Sequence, residues 1–369
     1  MKAGKSLTEL AQEIERQAGE KRDYVVGVNA LEMVNAQVRE GEQDTPGIFE
    51  TRLRLVNGKP TDYPVLDLAH RQIGERIGIP AKYYDRMLQS APVLLATNVN
   101  HWFRTEGEKR MVRTLDGKVR AFLSNKYQRI DNREVAEIVL PTLMESGRDL
   151  QIVSCEVTEK RLYIKATDRS VVAEVRGSKR VGDLVEAGVM ITNSEVGLGA
   201  VQVSPFMNFL ACLNGMVINK AGMRSAHIGT RLDVDDDIAA VLEDDTRKVL
   251  DRGVLLKVRD TVRALLNPQH HQARIDRMSE QTGQRIESAN PANSIEVLAN
   301  DFALSEDERG GVLRHLIEGG DLSRFGLMNA VTRTAADAVS YDRATELEQV
   351  GGRILDLPAN DWQRIARAA

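Results

Sequence analysis

The chain has 369 residues, of which 42% are hydrophobic and 28% charged. These values are typical of globular proteins with one or two ordinary domains and exclude global disorder. The formal net charge of −4 neither requires nor forbids a polyanionic partner. Whether one is expected depends on how the charges are distributed along the chain. No run approaches the roughly 20 apolar residues that span a bilayer, and residues 1–5 lead into an amphipathic stretch instead of an apolar signal core. We therefore expect a cytoplasmic protein with no membrane partner.

The first part of the chain predicts short helices alternating with β-hairpins. Ser6 followed by Glu9 forms a capping pattern before an apolar stripe, which predicts a helix over 6–18. Alternating residues around Asn57-Gly58 predict a hairpin over 51–66. The remaining patterns predict helices at 68–77, 81–89 and 132–145, hairpins at 109–123 and 150–167, strands at 171–176, 188–196 and 200–204, and a short buried helix at 205–213.

The composition changes near Leu232, since residues 233–251 contain eight acidic residues and two basic ones. From there to the end only helical patterns occur, apart from a polar stretch at 269–291 that predicts a linker or loop. The apolar helix predicted at 322–338 is expected to pack on the sheet or on a neighbouring subunit. The expected fold class is α+β: an antiparallel sheet of hairpins with packed helices in residues 1–232, followed by an all-helical C-terminal region in residues 233–369.

The motifs of several common catalytic sites are absent from the sequence. There is no Walker A pattern, HExxH, paired CxxC or G-x-S-x-G. His270-His271 lie in the polar stretch beside Pro268 and are interpreted as part of a solvated loop in preference to a metal site. Cys155 and Cys212 lie in apolar patterns and are expected to be buried thiols. We therefore expect no metal, no other cofactor and no catalytic residue.

The hairpin at 109–123 points to an anionic partner. If its Asp116-Gly117 turn fixes a regular register, Arg113 pairs with Arg120 and Met111 with Phe122 on one exposed face. Like charges at directly paired sites are destabilising. An anionic ligand is one reason for a sequence to keep them there.

Basic and aromatic residues are interleaved on both sides of this hairpin. Basic groups that follow a backbone, combined with aromatic rings that stack on bases, are typical of single-strand binding. Trp102 and Phe103 are interpreted as core residues. The predicted nucleic-acid-binding residues are Arg104, Lys109, Arg110, Arg113, Lys118, Arg120, Phe122, Lys126, Tyr127, Arg129, Arg161, Tyr163 and Lys165.

Four segments carry a resemblance to a known family: SNKYQRIDN at 124–132, NSEVG at 193–197, CLNGM at 212–216 and SYDRATELE at 340–348. In these segments the chain resembles the phage/plasmid-like proteins of unknown function, which plasmids, prophages and integrative elements encode. The resemblance implies an accessory factor in the DNA maintenance of mobile elements. Hairpins followed by a helix are also similar to single-strand annealing proteins of the Red-beta and RecT type, an analogy at the level of the fold.

Three functions remain open at this point. The first is a non-enzymatic protein that binds and anneals single-stranded DNA, with RNA not excluded. The second is a protein-interaction accessory factor, for antirestriction or replication, that docks through its helical tail. The third is a nucleic-acid-modifying enzyme with a dispersed site that includes Asp131, Asn193 and Glu195.

The annealing hypothesis also predicts a homo-oligomer. A sheet of successive hairpins leaves edge strands, for which 171–176 and 52–56 are the candidates. Head-to-tail contacts between such edges would produce a ring or a filament.

Overall fold

The computed structural model describes residues 1–37, 49–56, 60–127, 129–144, 149–178, 183–199, 201–211, 213–218, 222–225 and 244–368. The fold is α+β, with antiparallel sheets in the N-terminal and middle parts and a helical C-terminal region, as the sequence predicts. The predicted boundary at residue 232 lies outside the described residues. Among the described helices none is both long and apolar enough to cross a membrane.

The helices are α1 (Leu7–Glu20), α2 (Asp67–Arg76), α3 (Ala81–Ser90), α4 (Pro92–Thr105), α5 (Asn132–Met144), α6 (Asp244–Leu265), α7 (Pro268–Thr282), α8 (Pro291–Phe302), α9 (Glu306–Gly319), α10 (Arg324–Thr334), α11 (Tyr341–Leu355) and α12 (Ala359–Ala366). The strands are β1 (Arg22–Gly27), β2 (Leu31–Gln37), β3 (Phe49–Leu55), β4 (Thr61–Pro64), β5 (Lys109–Leu115), β6 (Lys118–Ser124), β7 (Leu150–Val157), β8 (Leu162–Glu174), β9 (Leu184–Asn193), β10 (Val201–Phe209), β11 (Asn214–Val217) and β12 (Met223–Ser225). The capping box predicted for the first helix is present, with Ser6 and Glu9 each bonded to the other's backbone N–H.

The largest sheet has the order β11-β10-β9-β8-β7, and β12 also pairs with β10. One core cluster joins Ile164, Val189 and Val203 of this sheet to α1, α5 and α6. A second cluster joins Met207 and Phe209 of the same sheet to α7–α12. Because the predicted 322–338 helix, α10, contributes to this second cluster, its expected packing on the sheet is confirmed.

Two three-stranded sheets, β1-β5-β6 and β2-β3-β4, form a smaller unit with α2, α3 and α4. Val26, Leu53, Ile73, Val99 and Phe122 all belong to its single core. The side-chain amide of Asn100 on α4 accepts from Met33 N–H and donates to Met33 C=O. It therefore pairs the backbone groups of Met33 on the free edge of β2 as a neighbouring strand would.

Two predicted elements are wrong. The described residues of the predicted 205–213 helix do not form one, because β10 continues through Pro205 to Phe209 between β9 and β11. Pro205 C=O accepts from Ile218 N–H, and the nitrogen of Pro205 points to the same side of β10 as its carbonyl. On that side lies the gap between the ends of β11 and β12, where no N–H donor is required. The polar stretch at 269–291 is mostly helix α7, whose buried residues His271, Ile275 and Met278 recur at helical spacing.

One of the two predicted edge strands is also wrong. β3, which contains Arg52 and Leu55, is the central strand of its sheet. β8 pairs with β7 only up to Asp168, so its continuation to Glu174 pairs with β9 alone. Cys155 is buried, as predicted, and burial raises the pKa of its thiol to about 11. Cys212 lies outside the described residues.

Candidate nucleic-acid interface

Arg113, the centre of the predicted basic hairpin, is buried and makes four side-chain hydrogen bonds. Its side chain is 0% exposed. The guanidinium donates to both carboxylate oxygens of Asp23 at 2.8 and 3.0 Å, to Asp131 Oδ1 at 2.8 Å, and to the C=O of Glu195 at 2.9 Å. These bonds use four of the five N–H donors of the guanidinium, and because the side chain is fully buried, none of its donors is accessible to a phosphate.

The expected pairing of Arg113 with Arg120 is wrong because of a bulge. The pairs Leu115–Lys118 and Thr114–Val119 are regular, but Arg113 pairs with Ala121, so that Arg120 is the extra residue on β6. Arg120 is buried and its Nη2 donates to Glu195 Oε2 at 2.5 Å. The same shift turns Phe122 into the core of the smaller unit, where it stacks on Phe103 with the ring centroids 5.9 Å apart.

Asp131, Asn193 and Glu195, the residues of the enzyme hypothesis, are brought together around Asn132. Glu195 Oε1 accepts from Asn132 N–H at 2.7 Å, and Asn193 Nδ2 donates to Asn132 Oδ1 at 2.9 Å. Lys21 Nζ lies 2.5 Å from Asp131 Oδ2 and 3.6 Å from Glu195 Oε1. We call Lys21, Asp23, Arg113, Arg120, Asp131 and Glu195 the ion network.

The ion network favours a structural role for its carboxylates. Burial alone would raise the pKa of Asp131, but the adjacent Arg113 and Lys21 outweigh it and lower that pKa. Three carboxylates face three cations, so the charges balance. A carboxylate held ionised in this way does not supply the proton that general acid catalysis needs. The ion network instead joins β1, β5 and β6 to α5 and to the turn after β9.

The basic face of the second hairpin is covered by α11. Lys165, which is 0% exposed, donates to Glu348 Oε2 at 2.5 Å, and Tyr163 Oη donates to Asp342 Oδ1 at 2.7 Å. The predicted exposure of Lys165 and Tyr163 is therefore wrong. Both faces of β8 are buried between Leu162 and Asp168, because α11, a helix distant in sequence, lies on the face that carries Tyr163 and Lys165.

The other predicted residues are distributed over several parts of the surface. Arg104, Lys109, Lys118, Lys126 and Arg129 are exposed. Half-buried Arg110 bonds to Glu108 at 2.8 Å, Arg161 donates to Leu198 C=O, and Tyr127 Oη donates to Ser194 C=O at 2.8 Å. Lys118 adjoins the hairpin turn, whereas Lys109 begins β5 at the opposite end. The structure does not gather the predicted set into one face.

Exposed basic and aromatic residues occur together on α3 and α4 instead. Segment 81–105 contains three basic residues and one acidic residue. The exposed side chains that we call the α3–α4 face are Lys82, Tyr83, Arg86, His101, Trp102 and Arg104. Within the described part of the chain, no acidic group lies within ion-pair distance of its three cations. Of these residues only Arg104 was predicted from the sequence. The interpretation of Trp102 as a core residue is wrong, since it is 43% exposed, whereas Phe103 is buried as predicted.

The rings of the α3–α4 face point outward for a local reason. Tyr84 and Met87 on α3 and Val99 and Phe103 on α4 occupy the core positions, so their neighbours Tyr83 and Trp102 remain 49% and 43% exposed. Asn98 Nδ2 donates to Met87 Sδ at 3.4 Å and joins the middles of the two helices. His101 packs edge-on against Trp102, with centroids 5.3 Å apart.

Metal binding has no support in the described residues, where no group of three His, Cys, Asp or Glu side chains is placed to hold an ion. His271 is buried in α7, so its interpretation as part of a solvated loop is wrong.

The four segments of the family resemblance meet in pairs. Segments 124–132 and 193–197 meet where Asn193 and Glu195 bond to Asn132, and segments 212–216 and 340–348 meet where β11 packs on α11. No family model, curated protein or solved structure matches the chain. The resemblance to the phage/plasmid-like proteins stays a prediction.

Proposed function

We propose that this protein binds single-stranded nucleic acid through the α3–α4 face and acts without catalysing a reaction. One observation carries the proposal: α3 and α4, which pack against each other, expose three cations without an acidic partner among the described residues and two half-exposed aromatic rings. The basic hairpin that suggested this function from the sequence does not support it, because Arg113 and Arg120 are occupied by the ion network.

The chemistry of the α3–α4 face suits an unpaired strand. Lys82, Arg86 and Arg104 would neutralise phosphates and release their counterions. Tyr83 and Trp102 would stack on bases, which are accessible only when the strand is not paired. Every base has a flat aromatic surface on which such a ring can stack, so we expect little preference for nucleotide sequence.

Assembly is part of the proposal. A homo-oligomer would place several α3–α4 faces along one strand, and affinity would then rise with strand length through multivalency. The segment of β8 beyond Asp168, which pairs with β9 alone, supports an edge contact between subunits. Annealing would follow if two strands are held with their base edges exposed.

The test compares labelled single- and double-stranded oligonucleotides of one sequence by fluorescence anisotropy. We expect preference for the single strand, and Trp102→Ala should weaken binding by about 1–3 kcal/mol, roughly 5- to 150-fold. The control is Lys118→Ala. Lys118 is exposed and lies at the turn of the β5–β6 hairpin, whereas α4 precedes the opposite end of that hairpin. This variant should bind as the parent does. Equal loss in both variants would contradict the assignment of the face.

A second candidate function is docking of a protein partner at the start of α4. Val93 and Leu94 there are 63% and 47% exposed, about two turns before His101 on the same helix. Exposed apolar side chains that cluster are typical of an interaction surface. If the parent protein ignores both single- and double-stranded oligonucleotides, docking becomes the better account.

A further inference from the structure

The strand β1 gives the smaller unit one open edge. The two sheets of this unit have four outer edges, and three of these edges have hydrogen-bond partners in the described part of the chain. On β2, the side-chain amide of Asn100 bonds both backbone groups of Met33. The edges of β4 and β6 meet where Leu66 N–H, two residues after β4, donates to Val119 C=O at 2.9 Å. No described strand or side chain bonds to the outer edge of β1.

Alternation along β1 identifies the backbone groups on this edge. Val28, the residue after β1, donates its N–H to Glu108 C=O at 2.9 Å and therefore faces β5. Successive residues of a strand direct their backbone groups to opposite sides, so every second residue faces away from β5. The N–H and C=O groups of Asp23, Val25 and Gly27 consequently lie on the open edge. Val25, in the middle, is 49% exposed.

An open edge of this kind is a template for another strand. A strand that pairs with it must present unpaired backbone groups at the same spacing, an apolar side chain opposite Val25 and no carboxylate opposite Asp23. The β1 strand of a second copy meets all three conditions when the two strands run antiparallel about a two-fold axis at Val25. We propose that the protein forms a dimer through β1, so that two three-stranded sheets join into one continuous sheet.

The two-fold axis at Val25 uses every backbone group of the open edge. Asp23 of one copy lies opposite Gly27 of the other, and the two copies of Val25 lie opposite each other. Each of these pairs exchanges both N–H···O bonds, as in a regular antiparallel ladder. Moving the axis to Tyr24 or Val26 leaves one outward residue of each β1 strand unpaired. The strand itself therefore determines the register of the dimer.

The side chains of β1 agree with this register. Two valines that are half exposed in the single chain cover each other across the axis, which removes apolar surface from water. Asp23 lies opposite a glycine, so its carboxylate, which accepts from Arg113, meets no like charge. Of the six residues of β1, only Arg22, at its start, is both charged and exposed. Neither a proline nor an exposed charge blocks the middle of the edge.

The first experiment follows the mass of the full chain by analytical ultracentrifugation in a dilution series. The parent should dissociate from a dimer to a single chain. Val25→Lys places two ammonium groups opposite each other on the axis and should raise the dissociation constant by about tenfold or more. Val25→Thr is the matched control. It keeps a β-branched, uncharged side chain, so its dissociation constant should rise much less.

A mixture of two charged variants tests whether the two copies of Val25 face each other. Val25→Glu alone should dissociate as Val25→Lys does. An equimolar mixture of the two variants should form a heterodimer, because opposite charges then meet across the axis. A contact that does not place Val25 on the axis provides no such recovery, so a mixture that stays as single chains would contradict the proposed register.

Two outcomes of the dilution series would overturn the proposal. If the dimer survives Val25→Lys, another surface holds it, such as the segment of β8 beyond Asp168. If the parent is a single chain at every concentration, the open edge is left for an extended segment of another protein.

The dimer is independent of the α3–α4 face. A dimer that ignores single-stranded oligonucleotides would contradict only the proposed function, and a single chain that binds them would contradict only the dimer.

Discussion

The ion network and the α3–α4 face both contain basic residues, but their surroundings give these residues different roles. Arg113 makes four hydrogen bonds to two carboxylates and a carbonyl and is 0% exposed. Lys82, Arg86 and Arg104 are exposed and have no acidic partner among the described residues. A high local density of arginine and lysine therefore indicates a binding surface only where no carboxylate of the same chain already occupies the cations.

The largest expected effect is in the ion network. Arg113→Met would leave the three carboxylates of the ion network facing two cations and would remove both hydrogen bonds that Asp23 accepts from Arg113. We expect it to lower the free energy of unfolding by about 5 kcal/mol. Urea denaturation measures the change. Arg129→Met is the matched control, because Arg129 is half exposed and lies 3.8 Å from Asp23, and it should cost less than about 1 kcal/mol. Nearly equal stabilities of the two variants would contradict the structural role of Arg113.

The second effect concerns Lys165, which the sequence placed on an exposed face. Lys165→Met leaves Glu348 buried without its cation and should cost about 4 kcal/mol of unfolding free energy. Lys165→Met combined with Glu348→Leu removes both charges and should recover most of this loss. Additive destabilisation in the double variant, measured by the same denaturation, would show that the pair is not coupled.

The third effect is pH dependence from His70, a buried residue of the smaller unit. Burial lowers its pKa from 6.5 to about 4 while Nδ1 lies 2.9 Å from Tyr84 Oη. The unfolded chain therefore binds this proton first as the pH falls. The stability contributed by neutral His70 is complete above pH 6.5 and is lost progressively down to about pH 4, a change of about 3 kcal/mol.

A substitution isolates this contribution from those of the carboxylates that titrate in the same range. His70→Gln, which keeps a neutral hydrogen-bonding side chain, should show a flatter dependence of unfolding free energy between pH 7 and pH 4. Parallel profiles for parent and variant would refute the assignment to His70.

The smallest expected effect on stability is at the cations of the α3–α4 face. Lys82→Ala, Arg86→Ala and Arg104→Ala should each change the free energy of unfolding by less than about 0.5 kcal/mol, because these side chains are exposed and unpaired. Denaturation of the three single variants provides the measurement. A loss above about 2 kcal/mol in any of them would mean that the residue has a structural contact, which would weaken its assignment to binding.

Local patterns in the sequence predicted much of the fold. The capping box at Ser6, the Asp116-Gly117 turn and the hairpin predicted at 150–167 are all present. In the turn, both residues have the positive φ that this two-residue connection requires. These features depend on neighbouring residues only, and so the sequence specifies them directly.

The site was harder to predict because it depends on long-range packing. The bulge at Arg120 changes the face of Phe122, and no local pattern marks it. The partners of Lys165 and Tyr163 lie 183 and 179 residues away. Polar residues also concealed α7, whose buried positions include His271 and Gln281. Alternation identified the two faces of β8 but could not show that a helix distant in sequence covers the polar one.

The most direct test of the central claim is the salt dependence of binding to a labelled single-stranded oligonucleotide. Two triple variants are compared with the parent. The first is Lys82→Ala/Arg86→Ala/Arg104→Ala on the α3–α4 face, and the second is Lys118→Ala/Lys126→Ala/Arg129→Ala, three exposed residues of the set predicted from the sequence. Each phosphate contact contributes about 0.7 to the slope of log K against log salt for single strands. We expect the first variant to reduce the slope by about 2, and the second to leave it close to that of the parent. A reduced slope in the second variant alone, or in neither, would contradict binding at the α3–α4 face.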